Sequence, residues 1–122
     1  MAGRLAERAS GRVVGGVAIR PDDTPALAAG LALYHAGRYF EAHEVWEDRW
    51  RLAVSDERRL LHGLIQLAAA HVQIDRGVGR GAERLLRKAA ARLAPLGGSF
   101  AGLDLRRLFA EAEERLATSR RS

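Results

Sequence analysis

Apolar residues recur from residue 25 onward at the three- and four-residue spacing that is typical of amphipathic helices. Gly37, Gly77 and the segment from Pro95 to Ser99 interrupt this spacing, and a glycine directly after a helix commonly supplies its left-handed end. The pattern predicts five helices, at about 25–36, 38–53, 55–76, 79–93 and 104–117. Helices joined by such short connections favour an all-α fold, a compact antiparallel bundle.

Polar residues stand where three of these helices should begin. Asp23 or Thr24 precedes Pro25, whose missing N–H costs nothing in the first turn of a helix. Ser55 and Asp104 take the same position before the third and the fifth helix. We expect each side chain to accept a hydrogen bond from a backbone N–H in the turn that it opens.

The two ends of the chain lack the helical period. Residues 1–23 hold several glycines and scattered arginines, and we interpret them as a flexible arm with a short extended piece around 12–19. The helical-bundle domain is expected to span 24–118, and the polar residues 119–122 to form a disordered basic tail. A chain of 122 residues fits one hydrophobic core of this kind.

The composition of the chain excludes several classes of function. The chain has 20 basic and 15 acidic residues, and it has no cysteine, which excludes disulfides, thiolate metal sites and cysteine nucleophiles. No apolar run reaches the length of about 18 residues that a membrane span needs, so no membrane partner is expected. No apolar signal core precedes Ala18, and a cytoplasmic location is therefore the default expectation.

The second predicted helix carries ionisable side chains on its apolar face. At about 100° per residue, Glu47, Trp46 and Trp50 fall within about 60° of His43, whereas Glu44 falls on the opposite side. Burying charged groups without partners is costly, so two interpretations remain open. Either His43 and Glu47 satisfy each other or a neighbouring helix, or both point into a pocket that the tryptophans wall.

If the two side chains point into a pocket, two kinds of ligand are possible. An imidazole and a carboxylate one turn apart can share a divalent ion such as zinc, with His43 and Glu47 as ligands. The helix itself supplies no third ligand, and His62 on the third helix is the candidate. The other possible ligand is an unknown small molecule, for which Trp46, Trp50 and Gln66 are the candidate contacts.

The third predicted helix is apolar nearly all round, which is typical of a central helix. Its narrow polar stripe includes His62 and Gln66. Because antiparallel neighbours bring their middles side by side, we expect Gln66 opposite His43 and Glu47. His71 projects elsewhere and is not expected to belong to the site.

Two other functions are considered from the sequence. The pattern of Gly37 and Ala42 recurs as Gly77 and Ala82, an offset of 40 residues, which hints at a tetratricopeptide-like interaction module and leaves a protein partner or a homo-oligomer open. A stripe of basic residues on the fourth helix suggests nucleic acid: Arg76, Arg80, Arg84 and Lys88. Stacking aromatic residues are missing there, so a solvated helix face is favoured over nucleic-acid binding.

Residues 36–50 also resemble the signature of a known family, domain of unknown function family 309, which occurs in bacteria and archaea. Its motif His-x-x-x-Glu-x-x-Trp is matched by His43, Glu47 and Trp50, and the runs 63–69 and 81–89 are similar to its later pattern. The resemblance covers about 26–117 and implies a compact helical bundle whose motif has been suggested to bind metal. It implies no particular activity, so whether the protein is an enzyme stays open.

Overall fold

The computed structural model describes residues 25–121 together with two short strands near the N-terminus. It confirms an all-α bundle with small two-stranded additions. The helices of the described part are α1 (Pro25–His35), α2 (Tyr39–Trp50), α3 (Ser55–Asp75), α4 (Gly79–Leu93) and α5 (Leu105–Arg121). None of them is both long and apolar enough to cross a membrane.

Most of the expected N-terminal arm, residues 1–23, lies outside the described residues. Within it, β1 (Val13–Val14) pairs antiparallel with β2 (Val17–Ala18), inside the segment where an extended piece was predicted. The expected cap at Asp23 or Thr24 also lies outside the described residues.

The central helix is α3, which packs against α2, α4 and α5. Its leucines at 60, 61, 64 and 67 have no exposed surface, in agreement with its all-round apolar sequence. Gly63 lets α4 approach closely, since a Cβ atom there would lie 2.4 Å from the side chain of Leu93. The α3–α4 pair therefore forms the middle of the hydrophobic core.

The hairpins α1–α2 and α3–α4 close with the same turn. Gly37 and Gly77 have φ angles of 80° and 77°, the left-handed conformation that glycine adopts without strain. In both turns the N–H after the glycine donates to the carbonyl five residues earlier, at 2.9 Å from Arg38 to Leu33 and from Val78 to Gln73. This is the hydrogen bond of a Schellman end, and it accounts for the echo at an offset of 40 residues.

The connection from α4 to α5 contains a hairpin that was predicted only as a loop. After a turn of 3₁₀ helix, β3 (Ser99–Phe100) pairs antiparallel with β4 (Leu103–Asp104). Ala101 and Gly102 between the strands both have positive φ, 55° and 80°, as the two central residues of a type I′ turn require. Alanine rarely adopts a positive φ, so Ala101 gave no indication of this turn in the sequence.

Of the two helix caps that can be checked, one is confirmed. The N–H of Arg107 donates to Oδ1 of Asp104 at 3.0 Å, so Asp104 caps α5. The expectation for Ser55 is wrong, because Val54 occupies the cap position of α3 and no side chain bonds there. Ser55 itself lies inside the first turn with a φ of 56°.

The end of α5 also differs from the prediction. The helix continues to Arg121, whereas the sequence predicted an end near Ala117 and a disordered tail at 119–122. Side chains of this last turn have partners: Ser119 Oγ donates to the carbonyl of Leu116 at 2.8 Å, and Arg120 lies 3.6 Å from Glu83 on α4. These contacts extend the helix beyond its apolar period.

Candidate functional site

Three of the predicted site residues carry a buried polar atom that has no hydrogen-bond partner among the described residues. The atoms are Nδ1 of His43, Nε1 of Trp50 and Oε1 of Gln66. Buried polar groups in native proteins are nearly always bonded, and leaving one unpaired costs about 1–3 kcal/mol. Three such atoms within one predicted site are therefore its most informative feature.

Ring contacts define the register of α2 against α3 around these residues. At one end of the pair the rings of Trp50 and His62 lie 5.3 Å apart, and at the other end Tyr39 stacks on His71 at 4.1 Å. Gln66 stands between His62 and His71 on α3, so it lies alongside the stretch of α2 between Tyr39 and Trp50. His43 and Trp50 are seven residues apart, two turns along one face of α2.

Glu47 faces the solvent side of this region. Its carboxylate lies 3.5 Å from the guanidinium of Arg51, which also holds Asp48 at 2.9 Å. The Glu47 side chain is 40% exposed. Glu47 therefore has a cationic partner in Arg51, directly after the end of α2, and Nδ1 of His43 remains unpaired.

The metal hypothesis needs a set of ligands that converge. Among the residues that the structure describes, no three His, Asp or Glu side chains are grouped so that they could hold one ion. A protein zinc site requires at least three such ligands. The donor set around His43 and Glu47, with His62 beside Trp50, does not fit that requirement.

Trp46 is a core residue. Its ring has no exposed surface, and its N–H donates to the carbonyl of Leu27 at 3.3 Å. Gly30 makes room for it, because a Cβ atom there would lie 2.0 Å from Nε1 of Trp46. Trp46 thus packs α2 against α1, and its polar atom is already bonded.

Arg58 and His62 surround the indole of Trp50. The Arg58 guanidinium lies 3.9 Å from the centre of the ring, and it donates to the Trp50 carbonyl at 2.9 Å. Burial lowers the pKa of His62, and the charges of Arg92 and Arg58 lower it further. These effects favour the neutral ring, which presents one donor and one acceptor nitrogen.

A second polar cluster lies at the opposite end of the α2–α3 pair, and sequence reasoning missed it. His71 is 2% exposed, and its Nε2 lies 2.7 Å from the Tyr34 hydroxyl while its Nδ1 lies 2.9 Å from Arg115. Arg115 also donates to Asp75 at 2.6 Å. A guanidinium can only donate, so Nδ1 of His71 accepts, and Nε2 carries the proton and donates to Tyr34.

The electrostatics of this cluster favour uncharged rings. Burial and the charge of Arg115 lower the pKa of His71 to about 4, against the smaller opposite effects of Asp75 and Glu111. Burial also raises the pKa of Tyr34 above its ordinary value. The partners of His71 come from α1, α2 and α5, and no pattern along α3 alone could reveal them.

The described fold and the His43–Trp50 face of α2 define a class of small all-α proteins with one helical bundle. The family described as Domain of unknown function (DUF309) matches residues 27–85, which include all the candidate site residues. The crystal structure of a conserved hypothetical protein from Thermus thermophilus is similar, with 51% identity over 74% of this chain and 94% of that chain and a TM-score of 0.64. No curated protein matches the chain.

From these two matches, the chain belongs to the DUF309 family. The family match begins in α1 and ends within α4, so it includes the repeated turns at Gly37 and Gly77 but not α5. The family is one of unknown function, and the Thermus protein is a conserved hypothetical protein.

Proposed function

We propose that His43, Trp50 and Gln66 bind a small molecule through hydrogen bonds. The observation that carries this proposal is the set of three buried, unpaired polar atoms on adjoining stretches of α2 and α3. A ligand that bonds all three removes a cost of about 1–3 kcal/mol for each atom. No reaction is part of the proposal.

The three atoms restrict the chemistry of the ligand. The indole N–H of Trp50 can only donate, so the ligand must offer an acceptor there. Gln66 offers an acceptor, or a donor after its amide rotates by half a turn, and His43 Nδ1 can take either role. A primary carboxamide or the imide edge of a heterocycle provides a donor and an acceptor side by side.

Hydrogen bonding is favoured over the two alternatives from the sequence. A zinc-like ion on His43, Glu47 and His62 is disfavoured because Glu47 pairs with Arg51 and the described part of the chain has no three-ligand group. A tetratricopeptide-like docking surface is disfavoured because the exposed large apolar residues of the described part are few and divided. Phe40 lies near one end of α2, whereas Leu52 and Val54 lie just beyond its other end, and Val78 belongs to the turn before α4.

The test uses the two tryptophans as probe and control in the same spectrum. Nicotinamide and uracil are titrated into the protein, and the indole N–H resonances are followed by NMR. We expect the Trp50 resonance to shift and the Trp46 resonance to stay, because the Trp46 N–H is bonded to Leu27 inside the core. N-methylated derivatives that lack the donor should shift Trp50 less.

Gln66→Leu should abolish the Trp50 shift, and Gln73→Leu, further along α3, is the matched control that should leave it unchanged. No shift with either compound at millimolar concentration would count against the proposal. So would equal shifts of both indoles, or a response that Gln66→Leu leaves intact.

A further inference from the structure

The C-terminal helix is attached to the bundle by an apolar face and by one arginine that reaches a buried ring. The apolar face consists of Leu105, Leu108, Ala112 and Leu116. Arg115 extends from the same helix to Nδ1 of His71 and to Asp75, and its guanidinium lies 5.3 Å from the ring centre of Tyr39. This arginine therefore links α5 to both α2 and α3.

We propose that His71 and Arg115 form an acid-sensitive latch, which holds α5 on the bundle while His71 is neutral and loosens α5 when His71 takes up a proton. The latch shares no residue with the proposed ligand site: its partners are Tyr34, Asp75 and Arg115. The proposal rests on the hydrogen bonds around the ring of His71, which is 2% exposed.

Only one ring atom is available to the incoming proton. Nε2 already carries a proton that it donates to Tyr34, so the second proton must go to Nδ1. Protonated Nδ1 cannot accept from Arg115, and the two groups then face each other as cations at 2.9 Å. The contact between α3 and α5 becomes repulsive, and the helix that carries Arg115 is the one that can move away.

The groups around His71 set the direction of this response. Tyr34 from α1 meets one nitrogen, Tyr39 from α2 stacks on the ring, and Arg115 from α5 meets the other nitrogen. Asp75 on α3 and Glu111 on α5 favour the charged ring, but burial and Arg115 outweigh them and lower the pKa of His71 to about 4.

The sign of the effect follows from proton linkage. With α5 released, the ring loses Arg115 and part of its burial while Tyr34 and Tyr39 stay beside it, so its pKa rises toward the ordinary value of about 6.5. The released state therefore binds the proton more tightly than the docked state, and lowering the pH from about 6.5 to about 4 shifts the docking equilibrium toward release, by a factor of up to about 100. Below the docked pKa of about 4 the effect levels off.

Hydrogen exchange of the full chain, read by mass spectrometry and corrected for intrinsic rates, measures this opening. We expect the amides of α5 to lose protection by at least about tenfold between pH 7 and pH 4.5, in proportion to the linkage. His71→Gln should remove the part of this loss that His71 causes, since glutamine can accept from Arg115 and donate to Tyr34 but does not titrate. His35→Gln, an exposed histidine on α1, is the matched control and should behave as the parent chain does.

An equal loss of α5 protection in the parent chain and in His71→Gln would overturn the proposal. Should His71→Gln fail to fold, Arg115→Met decides the matter through an NMR titration of the His71 ring. Removal of the guanidinium should raise the ring pKa above its value of about 4. An unchanged midpoint would overturn the latch.

Discussion

The two ends of the α2–α3 pair treat buried polar groups in opposite ways. At the Tyr39 end, both ring nitrogens of His71 are bonded, and the arginine that bonds one of them has a carboxylate partner. From the next turn of α2 onward to Trp50, His43, Gln66 and Trp50 each keep a buried polar atom unpaired. Both ends contain a histidine beside aromatic rings, so residue type alone does not distinguish a fully bonded cluster from one with unpaired polar atoms.

The largest difference in the free energy of unfolding should appear between His71→Leu and His43→Leu. His71→Leu leaves the buried Tyr34 hydroxyl without its partner and removes one of the two side-chain partners of Arg115, which keeps Asp75, and we expect a loss of about 2 kcal/mol in the free energy of unfolding. His43→Leu removes an atom that has no partner, and we expect a change of less than about 1 kcal/mol. Urea unfolding at pH 7 measures the stability of both variants. Similar losses would contradict the difference between the bonded His71 and the unpaired His43.

A smaller effect is expected at Gln66, and with the opposite sign. Gln66→Leu replaces an unpaired buried carbonyl by an apolar group of similar volume, so we expect a gain of about 1 kcal/mol in the free energy of unfolding. Gln73→Leu on the same helix provides the reference for the change of side chain. A clear loss of stability in Gln66→Leu, relative to that reference, would mean that Gln66 has a structural partner after all.

The smallest effect is expected at Glu47, whose ion pair with Arg51 is largely exposed. Glu47→Gln should change the free energy of unfolding by less than about 0.5 kcal/mol, because exposed pairs contribute little. The same variant sharpens the distinction between a hydrogen-bonded ligand and an ion. Calorimetric titration with zinc should show no site that depends on both Glu47 and His43, and a site lost in both Glu47→Gln and His43→Ala would restore the metal hypothesis.

The sequence predicted the parts of this molecule that depend on local spacing. Helix order followed from the apolar period and from the glycines at 37 and 77, and the shared face of His43 and Trp50 followed from the helical angle. Contacts between distant segments were out of reach. The partners of His71 are 37 and 44 residues away, and the core position of Trp46 depends on Gly30 in another helix.

The same limit explains the errors at the ends of individual helices. Ser55 is a good capping residue by type, but its backbone takes a positive φ that places it inside α3. The last turn of α5 has no apolar period, yet it is helical, and Arg120 and Ser119 have partners there. At the end of a helix, the helix or capping preference of a single residue is easily outweighed by its local backbone conformation and side-chain contacts.

The repeated turn at Gly37 and Gly77 has a consequence for how the chain folds. Each turn joins a helix to its immediate successor, so in the described part most helix–helix contacts are between neighbours in the chain. That is a topology of low contact order, in which loop closure demands little entropy and folding is typically fast. The contact from Arg115 to His71 spans a much longer loop, and it is the kind of contact that such a chain forms late.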